Sequence, residues 1–194
     1  MKKILIFILA IASALTMFAC KKEDDGLNAF KTAVAATDPA VIEVDTKMMT
    51  AAGELASKAT TTYNEDGSFT LVYWYEQFNT SANGASDELK TRIEKTVTCD
   101  KDGKYSDGGD LAGTSTATTG HKLNLGAKKL QPTISEDGKV LTVTVGAANT
   151  KAVLGVEYAQ DVVLVITIND GKVISYTMSY TNEFGAVSVV CTYK

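Results

Sequence analysis

The strongest constraint on this chain is an alternation of apolar and polar residues, interrupted at short intervals by Asp-Gly pairs. Ile42, Val44, Thr46 and Met48 fall on one side of a two-residue period, and Glu43, Asp45 and Lys47 fall on the other. Successive side chains of an extended chain point to opposite faces, so this is the pattern of a half-buried strand. Asp66-Gly67, Asp102-Gly103, Asp137-Gly138 and Asp170-Gly171 each separate two such runs. Asp-Gly supplies the positive φ that tight hairpin turns require. Glu183-Phe184-Gly185 reads as a slightly longer hairpin tip. Strands joined by turns this short pair antiparallel with their sequence neighbours, because a parallel pair needs a long crossover.

Strands are expected over 42–48, 54–63, 68–78 and 91–99, then around 121–126 and 129–135, and again over 139–146, 161–169, 172–181 and 186–193. The run 68–78 is apolar on both faces, so it must be covered twice or line a cavity. Residues 80–88 and 106–120 are small and polar and read as loops. Leu27, Phe30 and Val34 recur at helical spacing, which predicts a short amphipathic helix over 27–37 that stops before Pro39. Asn149 to Leu154 reads as one helical turn capped by Asn149. The expected class is α+β, mostly β: one N-terminal helix and about nine strands in a large curved antiparallel meander.

The N-terminus has a different composition. Residues 1–19 are apolar apart from Lys2, Lys3, Ser13 and Thr16, and Ala19-Cys20 precedes the polar run Lys21-Lys22-Glu23-Asp24-Asp25-Gly26. A positive start, an apolar stretch and a small residue at the junction make the layout of a secretory signal peptide. The stretch is marginal for a membrane-spanning helix, which needs about 20 apolar residues. The Ala19-Cys20 junction resembles the lipobox of bacterial lipoproteins, with Met17 and Phe18 departing from the usual residues before it. The resemblance implies cleavage before Cys20 and lipid on its thiol. Residues 1–19 are thus expected to be a signal peptide, 20–26 a lipidated cysteine with a polar tether, and 27–194 one β-rich domain. A lipid-anchored protein sits on a membrane surface with its folded part in water, since two or more acyl chains hold stably where one is marginal. The implied location is the bacterial cell envelope, on its periplasmic or outer-surface side. The tether is either a plain spacer or an export address.

Removing residues 1–19 takes two lysines from the 19 Lys+Arg and no acid from the 23 Asp+Glu, so the formal charge of −4 becomes −6. An acidic surface argues against a general nucleic-acid binder, which needs basic patches to displace counterions. With Cys20 assigned to lipid, Cys99 and Cys191 remain. Each falls on the apolar side of a strand-like run. They are either a disulfide, closing a loop whose entropy is worth roughly 4–5 kcal/mol, or two separate buried thiols.

No catalytic constellation is visible. His121 is the only histidine and no GxSxG elbow presents a serine. Asp100, Asp102, Asp107 and Asp110 form the densest carboxylate group, but the register fails as a calcium loop. No metal site, cofactor or enzymatic activity is expected. The most suggestive feature is the aromatic stretch of Phe69, Leu71, Tyr73, Trp74 and Tyr75, which Tyr176, Met178 and Tyr180 would extend from another strand. These residues are either ordinary core or the wall of an apolar binding cavity.

The order of lipobox, tether, amphipathic helix and long meander, ending in Val162–Ile168, Val173–Tyr180 and Val187–Tyr193, resembles periplasmic lipoproteins of the LolA/LppX type. That resemblance implies a half-open β-barrel with helices on its concave face and a lipid or lipoprotein acyl chain as ligand. A closed lipocalin-like barrel and other β-rich sandwiches or sheets remain open as alternatives. The expected function is that of a non-catalytic, membrane-anchored envelope lipoprotein binding a lipid or other hydrophobic ligand. The alternative is a cell-surface interaction or adhesion module with a filled core, contacting an envelope protein.

Overall fold

The computed structural model describes residues 23–79, 90–101, 105, 106 and 123–194. The signal peptide, Cys20, His121 and most of the two expected loops lie outside the described residues. The alternating runs form β1 (Val41–Thr50), β2 (Gly53–Tyr63), β3 (Phe69–Phe78) and β4 (Lys90–Cys99). They continue as β5 (Thr133–Ile134), β6 (Val140–Val145), β7 (Val162–Asn169), β8 (Lys172–Asn182) and β9 (Gly185–Tyr193). All pair antiparallel in one sheet that does not close on itself.

The turns follow the Asp-Gly chemistry. Gly67 and Gly138 adopt φ of 84° and 70°, and Asp170-Gly171 are both left-handed at 50° and 73°. The Asp66 carboxylate accepts hydrogen bonds from the Ser68 amide at 3.0 Å and hydroxyl at 2.6 Å. Asp137 does the same for the Ser135 hydroxyl and the Lys139 amide. These bonds favour the charged carboxylates and hold Asp66 and Asp137 below the usual carboxylate range.

The expected mostly-β, open antiparallel sheet of nine strands is found, and its strand order, β4-β3-β2-β1-β9-β8-β7-β6-β5, differs from one continuous meander. Two meanders, β1 to β4 and β5 to β9, are fused where the first strand pairs with the last, from Ile42 against Tyr193 to Thr50 against Gly185. No turn announces this joint, because it links opposite ends of the chain. The passage from β4 to β5 runs from one sheet edge to the other. Over 123–126, the described part of the strand expected around 121–126, no strand forms. Leu123 and Leu125 are buried from a turn instead, tied by the Asn124 amide to the Val153 carbonyl at 2.7 Å. The run at 129–135 shrinks to two residues directly after Pro132, which has no N–H to give a ladder.

Helix α1 (Glu23–Ala36) begins four residues before the expected start at 27, so backbone assigned to the tether is already helical. Phe30 and Ala33 are fully buried, and Leu27 and Val34 pack beside them, as the helical spacing requires. The Thr37 hydroxyl ends the helix by donating to the Ala33 carbonyl at 2.7 Å and accepting from the Val173 amide at 2.8 Å. That pair fastens α1 to the start of β8. Helix α2 (Thr150–Leu154) follows a 3₁₀ turn, Ala147–Asn149. Asn149 stands at its N-cap, but its side chain makes no capping bond. The Asp161 carboxylate instead accepts from the Ala147 amide at 2.9 Å.

Candidate functional site

Residues directly opposite in a ladder share a face, so the register identifies the inner lining. One row runs from Lys95 through Tyr73, Ala59, Val44 and Cys191 to Tyr176. The next runs from Ile93 through Tyr75, Ser57, Thr46 and Val189 to Met178. Along both rows burial changes from one side to the other. On β8 and β9, Tyr176, Met178 and Cys191 are at most 1% exposed, sealed into the core that includes α1 and α2. On β3 and β4, Tyr73, Tyr75 and Ile93 are only half-buried and Lys95 is exposed. Met48 and Leu55, opposite each other on β1 and β2, are half-buried too.

The inner face is therefore divided into a sealed half and an open half. In the open half the Tyr73 and Tyr75 rings lie near parallel, 14° apart, with centroids 6.4 Å apart. Such a surface presents apolar and aromatic area.

The sealed half carries a buried polar cluster. The Tyr176 and Tyr193 rings meet edge to face at 5.9 Å, and both side chains hydrogen-bond the Cys191 thiol. Burial pushes the Cys191 thiol up to about 11, and the two tyrosine bonds temper that rise. Burial likewise raises Tyr193, Tyr63, Tyr158 and Tyr180. These buried groups are thus uncharged at neutral pH. No buried side-chain polar atom among the described residues lacks a partner.

No family model and no curated protein matches this sequence. Among solved structures, LprF from Mycobacterium bovis is similar over 87% of this chain and 92% of its own, at 13% identity and a TM-score of 0.46. A porin-like protein from Bacteroides uniformis is similar over 80% of this chain and 56% of its own, at 16% identity and a TM-score of 0.19. Neither likeness carries a functional assignment.

The structure separates the aromatic residues that the sequence grouped. Phe69, Leu71, Tyr73 and Tyr75 line the inner face, with Leu71 buried and Phe69 packed against Tyr63 and Tyr105. Trp74 points to the opposite face, where the Arg92 guanidinium lies 4.0 Å from its ring centre. Alternation dictates this, since adjacent strand residues cannot share a face. Tyr176 and Met178 are core, and Tyr180 packs half-buried against Tyr158 at 4.9 Å. Cys99 and Cys191 are both buried free thiols. They sit on β4 and β9, with β3, β2 and β1 between them, so the sheet holds them apart. Met48, Leu55 and Ile93 were not singled out as site residues from the sequence; the register puts Ile93 directly opposite Tyr75, and Met48 opposite Leu55 one row further along the same face. Among the described residues no group of three His, Cys, Asp or Glu could hold a metal ion. No described helix is long and apolar enough to cross a membrane.

Proposed function

We propose that this chain is a non-catalytic envelope lipoprotein, anchored to a bacterial membrane through lipid on Cys20. Its sheet holds a lipid or other hydrophobic ligand against the open half of the inner face. The observation that supports this reading is the half-buried pair Tyr73 and Tyr75, stacked on a face whose other half is sealed core. Leaving large apolar rings partly in water forgoes roughly 25 cal/mol per Å² of hydrophobic stabilisation. A ligand laid along them recovers it.

The anchor and the ligand are tested separately on the full chain expressed in a bacterial host. Intact mass of the membrane fraction should show a chain starting at Cys20 with acyl chains attached, and Cys20→Ala should release the protein or leave the precursor uncut. Correct processing and unchanged membrane retention of Cys20→Ala would defeat the anchor. Gentle extraction and native mass spectrometry should reveal a co-purifying apolar ligand that is depleted in Tyr73→Ala/Tyr75→Ala. Equal occupancy in the double variant, or no ligand and no uptake of an apolar fluorescent probe, would defeat the binding reading.

A further inference from the structure

Lys95 is the one charged residue that the described strands present on the inner face. The register puts it directly opposite Tyr73, between Ile93 and Val97 on β4. Its neighbours on that face are aromatic, aliphatic or small, and the Lys95 side chain is exposed at the rim of the open half. The charged outer-face residues are engaged differently. Lys58 lies 3.8 Å from Glu43 and 3.7 Å from Asp45, and Arg92 lies 2.7 Å from Glu94. No ion pair to Lys95 exists among the described residues. A single unpaired cation at the edge of an apolar aromatic wall has the layout that an amphiphile with one negative charge matches.

We propose that Lys95 receives the carboxylate of a long-chain fatty acid whose hydrocarbon chain lies along Tyr73 and Tyr75. The proposal rests on the ligand-binding reading above and narrows it from a hydrophobic ligand to a singly anionic one. One lysine balances one carboxylate, whereas a phosphate monoester brings close to two charges. The ammonium remains at the rim, where it keeps its hydration until the head group arrives, and the apolar chain displaces water from the rings. A lysine pointing inward on an edge strand also guards against edge-to-edge pairing, so the test must separate the two roles.

The experiment titrates the full-length protein in detergent at pH 8 with oleate, with methyl oleate and with an oleoyl lysophosphatidate, by displacement of a fluorescent fatty-acid probe. Wild type should prefer oleate to methyl oleate by about tenfold, the scale of one hydrogen bond to a charged group. Lys95→Gln should remove that preference while leaving methyl oleate binding unchanged, and Lys95→Arg should retain it. Sedimentation of each variant reports self-association. Equal affinity of oleate and methyl oleate for wild type would overturn the charge assignment and leave the apolar site standing. Tighter binding of the lysophosphatidate would overturn the carboxylate assignment. A Lys95→Gln variant that self-associates with oleate selectivity intact would show an edge guard only. Failure of all three ligands to bind would remove the binding reading itself.

Discussion

The Lys194 ammonium lies 2.7 Å from the Glu43 carboxylate, so the last residue of the chain is held against the strand that opens the sheet. Lys58 of β2 approaches the same carboxylate at 3.8 Å. Glu43 thus links β1 to both of its flanks. The Lys194 hydrogen bond, helped by the charges of Lys58 and Lys194, holds the Glu43 carboxyl below its ordinary value of 4.5. A depressed folded-state value means that the contribution is present above the unfolded value and fades as pH falls through the folded one. Glu43→Gln should therefore lower the unfolding free energy measured in urea at pH 7, by less than about 1 kcal/mol because the pair is partly exposed. The two proteins should converge as pH drops well below 4.5. An equal difference at pH 7 and pH 2.5 would mean the carboxylate charge is not what matters.

Gly185 should be the least replaceable residue of the β1–β9 joint. Its φ is 149°, and a Cβ placed there would run into the Met49 carbonyl oxygen. Gly185→Ala should cost about 2 kcal/mol or more, from the strained backbone together with the clash. Gly67→Ala, where φ is 84° but nothing stands within 4 Å, should cost less. Chemical denaturation of both variants checks the ranking, which reverses if the β8–β9 tip can shift freely.

Truncation on the two faces should give opposite results. Leu164 is fully buried, and Leu164→Ala should destabilise by roughly 2–5 kcal/mol through lost burial and the cavity left behind. Val72 is 50% exposed on the outer face. Val72→Ala should stay within about 0.5 kcal/mol of wild type. Comparable losses at both positions would contradict the assignment of inner and outer faces.

Both sheet thiols should resist labelling in the folded protein. Burial pushes the Cys191 thiol up to about 11 and raises Cys99, so little thiolate exists at pH 8. A thiol reagent should modify Cys99 and Cys191 only after denaturation, without prior reduction. A requirement for reductant would mean that the two are bridged.

Much of the architecture was legible because its determinants are local. The hairpin at Asp170-Gly171 needs two left-handed residues in succession, and few residue pairs accept that conformation. The core-facing stripe of α1 was legible in the spacing of Leu27, Phe30 and Val34, although the structure buries Ala33 more deeply than Val34. Where a local signal misled, a neighbour was responsible. Leu123 and Leu125 alternate like a strand but are buried without a strand partner. Trp74 seemed part of one aromatic wall until pairing with Lys58 and Glu94 put it on the other face.

By itself the sequence determined the extended segments, their turns and the apolar side of each, since these depend on side-chain alternation and on residues that tolerate positive φ. Only the tertiary structure decided that β1 pairs with β9, that Cys99 and Cys191 stand apart, and that Lys95 faces the same surface as Tyr73. Such relations join residues far apart in the chain, as Glu43 and Lys194 are at a separation of 151 positions. Pairing over such distances is chosen by the burial of whole faces against one another, a choice that no short stretch of sequence encodes.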